Sequence, residues 1–148
     1  HSMDITLGDG ELPFKVDAEI VPGMFHRRGV LAAAREGDSF NPERKSSSTH
    51  FYIVTGKVYT DADLNKAAAR IAKANRLTEY TFPDEIVKVY KSEGGAPHLD
   101  TQYTIFGEVI KGMDVVMSIS KSETDNNDRP LENIVIISAK ARLVKKYR

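Results

Sequence analysis

The sequence predicts one mainly β domain with a pair of helices set into it, and three observations predict that class. Apolar residues cluster in short runs bounded by polar loops, at 29–34, 51–54 and 103–109, a length that suits buried strands better than helices. From Tyr59 to Pro97 the texture becomes alanine-rich and charged, with apolar residues at helical spacing. The chain has 148 residues, 41% of them hydrophobic, and a chain of that size buries roughly 70% of its unfolded surface in a single core.

Taken in order, residues 5–20 alternate apolar stretches with the turn signals Gly8-Asp9-Gly10 and Leu12-Pro13, which reads as loop and edge strand. Strands follow at 29–34 and 51–54, separated by a polar, serine-rich loop that opens with Asn41-Pro42. Thr60 with Asp63 has the spacing of a capping box, and Leu64, Ala68 and Ile71 continue it as an amphipathic helix over 61–75. Pro83, Asp84 and Glu85 suit a second helix start, because proline fits the first turn and carboxylates favour the positive N-terminus. That helix runs over 83–91, with Ile86, Val89 and Tyr90 on its apolar side and Gly94-Gly95 as its stop. A strand at 103–109, a short helix at 113–119, a turn at 125–128 and a last strand at 134–139 complete the reading. Strand alternation assigns Leu31, Ala33, Phe51, Ile53, Ile105 and Val109 to one core. The helical pair is expected to sit outside the sheet as a dispensable insertion.

Composition narrows the functions. Lysine plus arginine and aspartate plus glutamate each total 21, so no global field draws the chain to nucleic acid or to an anionic membrane. The basic end, 142–148, reads as a solvated tail. Without cysteine there are no disulfides, thiolate zinc sites or thiol nucleophiles. No apolar run approaches the roughly 20 residues that span a bilayer. His1-Ser2-Met3 reads as an expression scar ahead of a domain over 4–148, and bacterial cytoplasm and periplasm both remain open as the compartment.

Several motifs read as ordinary structure. His26, His50 and His98 lack metal-ligand spacing, so neither a metal nor another cofactor is expected. Ser46, Ser47 and Ser48 lack a nucleophile elbow, and 125–128 lacks the spacing and closing glutamate of a calcium loop. Gly8-x-Gly10 is a turn, not a dinucleotide loop.

Gly29-Val30-Leu31-Ala32-Ala33-Ala34-Arg35, then Ser47-Ser48-Thr49-His50-Phe51-Tyr52-Ile53-Val54, then His98-Leu99-Asp100 leading to Phe106-Gly107-Glu108-Val109 and Gly112-Met113-Asp114-Val115-Val116, together resemble the second half of a cyclophilin. The likeness is to a bacterial branch of these proline isomerases, with the helical insertion at about 59–97. The resemblance implies a cyclophilin-like β-barrel with a short C-terminal helix, incomplete at its N-terminus, whose open sheet edges are pairing liabilities that an oligomer could complete.

Carried over by position, Ala34, Arg35 and Glu36 lie where the family offers a backbone edge to bound peptide. His50 stands at its glutamine, Tyr52 at its pocket phenylalanine, His98 at a position often tryptophan, Leu99 at its pocket leucine and Tyr103 at a histidine. The polar Arg35-Glu36 pair implies a more hydrophilic groove. Phe25-His26-Arg27-Arg28 matches the triplet around the family's catalytic arginine. It is followed at once by Gly29-Val30-Leu31-Ala32, however, so Arg27 is not assigned that role, and the arginine is expected upstream of this chain. The implied function is peptidyl-prolyl cis–trans isomerisation of X-Pro bonds in peptides and folding proteins, weak in this chain. The competing reading is a non-catalytic module that binds proline-containing peptides, and a domain with no groove is a third.

Overall fold

The computed structural model describes Gly10 and residues 12–144. Residues 1–3, most of the first turn and residues 145–148 of the basic end lie outside the described residues. Five short strands and three helices follow in chain order: β1 (Lys15–Val16), β2 (Val30–Ala33), β3 (Ser46–Ser47), β4 (Phe51–Ile53), α1 (Asp61–Ala74), α2 (Asp84–Ser92), a 3₁₀ turn (Pro97–Leu99), β5 (Ile105–Glu108) and α3 (Met113–Ile119). The architecture is β-sheet with a few helices, consistent with a cyclophilin-like fold. β1 pairs with β3, and β2 lies between β4 and β5, all antiparallel.

Local chemistry sets both main helices. Thr60 Oγ1 accepts from the Asp63 amide at 3.2 Å while Asp63 Oδ2 accepts from the Thr60 amide at 3.3 Å, a complete capping box at the start of α1. Pro83 precedes α2, and Gly94 takes over beyond its end at φ 86°. Gly95 is the place where a side chain is excluded: a Cβ there would meet the His26 carbonyl at 2.3 Å and the Tyr90 ring at 2.6 Å. That close approach bridges the backbone to Arg27 on one side and Lys57 on the other, tying the end of the helical pair to the chain flanking β2 and β4.

Two expectations are corrected by the packing. The main buried cluster is Leu64, Ala67, Ile71, Phe82, Ile86 and Tyr90, so the helical pair carries the core instead of decorating the sheet. On β2 and just beyond β4, Val30, Ala32, Ala33 and Val54 are buried, so Ala33 is in the core as expected, whereas Phe51 is 57% exposed and Leu31, Ile53, Ile105 and Val109 are only partly covered. Alternation identifies which residues share a face. Ala32 and its cross-strand partner Tyr52 share one face, and from it the Tyr52 hydroxyl reaches His26.

The strand expected at 134–139 is not formed. Ile134, Val135, Ile136 and Ile137 stand exposed, because an extended apolar run becomes a strand only beside a ladder partner, and no described strand lies there.

Candidate functional site

The site is built from the segment before β2, the middle of β4, the end of α2 and the loop after the 3₁₀ turn. His26 and Asp100 are 74 residues apart in sequence and almost fully buried together. Asp100 Oδ1 accepts from the His26 backbone amide at 2.8 Å and lies 2.9 Å from its Nδ1. Asp100 Oδ2 accepts from the Tyr90 hydroxyl at 2.7 Å. On the far side of the imidazole, Nε2 lies 3.2 Å from the Tyr52 hydroxyl. The carboxylate thus has each oxygen engaged, which is what a buried charge requires.

Tyr52 then meets the rest of the predicted site. Its ring stacks on His26, with centroids 6.2 Å apart, and receives Tyr103 edge-on at 6.0 Å. Burial, then the neighbouring Tyr103 and Asp100, push the Tyr52 phenol well above its ordinary range, so its proton is retained throughout the physiological range. The Arg35 guanidinium lies 4.6 Å from the Tyr103 ring centre, donates to the Gln102 carbonyl at 2.9 Å and pairs with Asp38 at 2.7 Å. Its side chain is 4% exposed. The hydrophilic groove expected from Arg35-Glu36 is therefore corrected: the Arg35 charge is folded inward as a brace, and Glu36 pairs with Lys15.

The remaining predicted residues divide. Ala34 joins the site, but its amide donates to the His50 carbonyl and its own carbonyl accepts from Ser47, so both groups already serve the fold. His98 and Leu99 sit on the 3₁₀ turn immediately before Asp100. His98 is half-buried, and burial, then the Arg70 charge, then His26 hold its imidazole below the ordinary histidine value. His50 turns Nδ1 toward the hydroxyls of Ser47 and Thr49, each at 3.1 Å. It lines a cavity of about 270 Å³ with Ala33, Phe51 and Phe106, residues of the face opposite Tyr52. Arg27 pairs with Glu108, and Arg28 donates to the Gly56 carbonyl at 2.9 Å.

Sequence reasoning missed Asp100 and Tyr90 as site-building residues and saw His26 only within a misleading triplet. Among the described residues no three histidine, cysteine or carboxylate side chains gather as a metal site, and no helix is long and apolar enough to cross a membrane. The arrangement is a buried polar network, Asp100 with His26 and Tyr90, beneath a partly buried pair of aromatic rings, Tyr52 and Tyr103.

Comparisons with known proteins identify a family. The family model for cyclophilin type peptidyl-prolyl cis-trans isomerase matches residues 3–141. A Staphylococcus saprophyticus protein, provisionally named a peptidyl-prolyl cis-trans isomerase, is 38% identical over 114 residues, which is 77% of this chain and 50% of that protein. A counterpart of the same provisional name from Staphylococcus aureus strain COL is 30% identical over the same shares. The Arabidopsis thaliana peptidyl-prolyl cis-trans isomerase CYP71 is 52% identical over 42 residues, 28% of this chain and 7% of that protein. The chain thus spans about half the length of the staphylococcal relatives it matches.

Proposed function

The chain belongs to the cyclophilin-type peptidyl-prolyl cis-trans isomerase family, and from that premise we propose that it binds X-Pro segments of peptides and unfolded proteins and assists rotation about the prolyl bond. The observation that carries this reading is Tyr52, at the position of the family's pocket phenylalanine, held as an aromatic wall by Tyr103 in front and His26 behind. Leu99 and His98 flank that wall in this reading, Arg35 braces it through Tyr103, and the backbone at 34–36 borders it. His50 serves as a more distant polar contact.

The reaction needs no nucleophile, because its barrier of about 18–20 kcal/mol comes from amide resonance alone. A pocket that grips the proline ring and a donor that favours the twisted amide lower it by binding the transition state better than either planar isomer. The catalytic arginine of the family has no assigned counterpart here, and Arg35 is already committed to Gln102, Asp38 and the Tyr103 ring. We therefore expect slow turnover from this chain, with losses on the order of 10²–10³ for one missing charge-stabilising donor. That commitment favours the second reading as well, a module that holds proline-containing peptide without turning it over. Oligomerisation through the exposed sheet edges belongs to the same proposal.

Exchange NMR on an Ala-Pro tetrapeptide tests the site and the arginine assignment. Binding with exchange little faster than solvent supports the slow enzyme or holding module, binding with fast exchange means that one of Arg27, Arg28 or Arg35 serves after all, and no binding overturns the site.

A further inference from the structure

We propose that Asp100 and His26 are positioning residues for the prolyl pocket, and that Tyr90 of α2 links the helical pair to them. The inference rests on the peptide-site reading above and says how its aromatic wall is held. A carboxylate only accepts hydrogen bonds, so the Asp100 oxygen 2.9 Å from His26 Nδ1 fixes the imidazole hydrogen on that nitrogen. With that tautomer Nε2 is the acceptor, and the Tyr52 hydroxyl at 3.2 Å is the donor that meets it. Tyr90 closes the other end by donating to Asp100 Oδ2 at 2.7 Å.

The polar chain has one direction, Tyr52 to His26 to Asp100, with Tyr90 holding the last member. His26, Asp100 and Tyr90 are each no more than 2% exposed, so water offers no competing partner for them. Tyr52, at the near end of this buried chain, is itself only partly buried. Its single hydroxyl hydrogen is spent inward. Toward a ligand it presents a ring held in place and an oxygen able only to accept. A phenylalanine would give the ring without the tether. The helical pair consequently acts on the pocket through one hydrogen bond at each step, although neither helix supplies a residue to the proposed peptide contacts.

Two substitutions at His26 divide the chain at different bonds. His26→Asn keeps a donor where Nδ1 stands and loses the reach to Tyr52, whereas His26→Gln places its amide nitrogen and oxygen where Nε2 stands and keeps that reach. The readouts are nitrogen NMR of the His26 ring at pH 7.5 without ligand and titration calorimetry with the Ala-Pro tetrapeptide. The free protein should show the hydrogen on Nδ1, and Tyr52→Phe should move the Nε2 resonance while leaving the Nδ1 hydrogen in place.

Tyr52→Phe and His26→Asn should each weaken peptide binding roughly three- to tenfold, the range of one lost hydrogen bond. The double variant should bind no more weakly than the weaker single one, because both remove the same tether. His26→Gln, which keeps the acceptor for Tyr52 but loses the Asp100 bond that steadies it, should weaken binding less than His26→Asn. A hydrogen on Nε2 of the free protein, or equal losses in His26→Asn and His26→Gln, would overturn the positioning role. So would full affinity in Tyr52→Phe, a variant that leaves the buried part of the network intact. Failure of the unaltered chain to bind the peptide would instead overturn the peptide-site reading, whatever the nitrogen spectrum shows.

Discussion

The two faces of the sheet have opposite character. Behind Tyr52, α1 and α2 bring Leu64, Ile71, Phe82 and Tyr90 into one dry cluster, and the polar groups that enter it are paired: Asp100 with His26 and Tyr90. On the other face Phe51 and Phe106 touch edge-on, 6.2 Å between centroids, yet each stays 57% exposed. The first cluster is closed from water and the second is not. Stability and site geometry therefore belong to the helical side, while the open face is a surface in search of cover, of the kind that marks association sites.

The largest test of that contrast removes the helical side. Joining Tyr59 to His98 through a short turn, with the segment between them deleted, should abolish cooperative urea unfolding followed by circular dichroism, because it takes away the main cluster and the Tyr90 partner of Asp100. A smaller version is Ile71→Ala, which should cost about 2–5 kcal/mol at a fully buried aliphatic position. A cooperative transition in the deleted protein would restore the view of the helices as an external insertion and break the comparison.

Much of the helical side was legible beforehand, because its signals are local. Thr60 with Asp63 and Pro83 with Asp84 place both helix starts within one residue of where they form, and Gly94-Gly95 marks the stop. The failures are all matters of distant partners. Alternation paired Ala33 with Phe51 correctly on one face but could not say that Ala33 would be buried and Phe51 exposed. Ile134 to Ile137 has strand composition and no strand beside it. Arg35 looked like a groove charge because nothing in its neighbourhood announces Tyr103 and Gln102 as partners. His26 and Asp100 share no spacing motif that would have joined them.

A middle-sized effect should appear on the open face, and in association more than in stability. Phe51→Ser and Phe106→Ser remove apolar area that is already largely in water, so each should change unfolding free energy by less than about 1 kcal/mol. Both should reduce concentration-dependent self-association in sedimentation velocity, because the exposed apolar patch is smaller. A loss as large as that of Ile71→Ala would mean that the open face is a second core and that the contrast between the faces is false.

The smallest effect sharpens the helical side through pH. The His98 imidazole is held below the ordinary value of 6.5 by burial first, then by the Arg70 charge and by His26, with Asp100 opposing them. Its proton therefore binds the unfolded chain more readily than the folded one. Above about pH 6.5, the unfolded histidine value, His98 is neutral in both states and contributes no slope. As pH falls from there to the lower folded value, the unfolded chain takes up the proton first and stability declines, then levels off once both states are charged. Urea midpoints measured from pH 7.5 downward should show this decline, and His98→Gln, which cannot titrate, should flatten it over the same window. His26 and His50 remain in both proteins, so the difference between the two curves isolates His98. Arg70→Gln removes the second cause and should raise the His98 value in an NMR titration, narrowing the window. An unchanged slope in His98→Gln would mean that the acid sensitivity of the helical side arises elsewhere, and that the 3₁₀ turn is looser in solution than its packing against α1 implies.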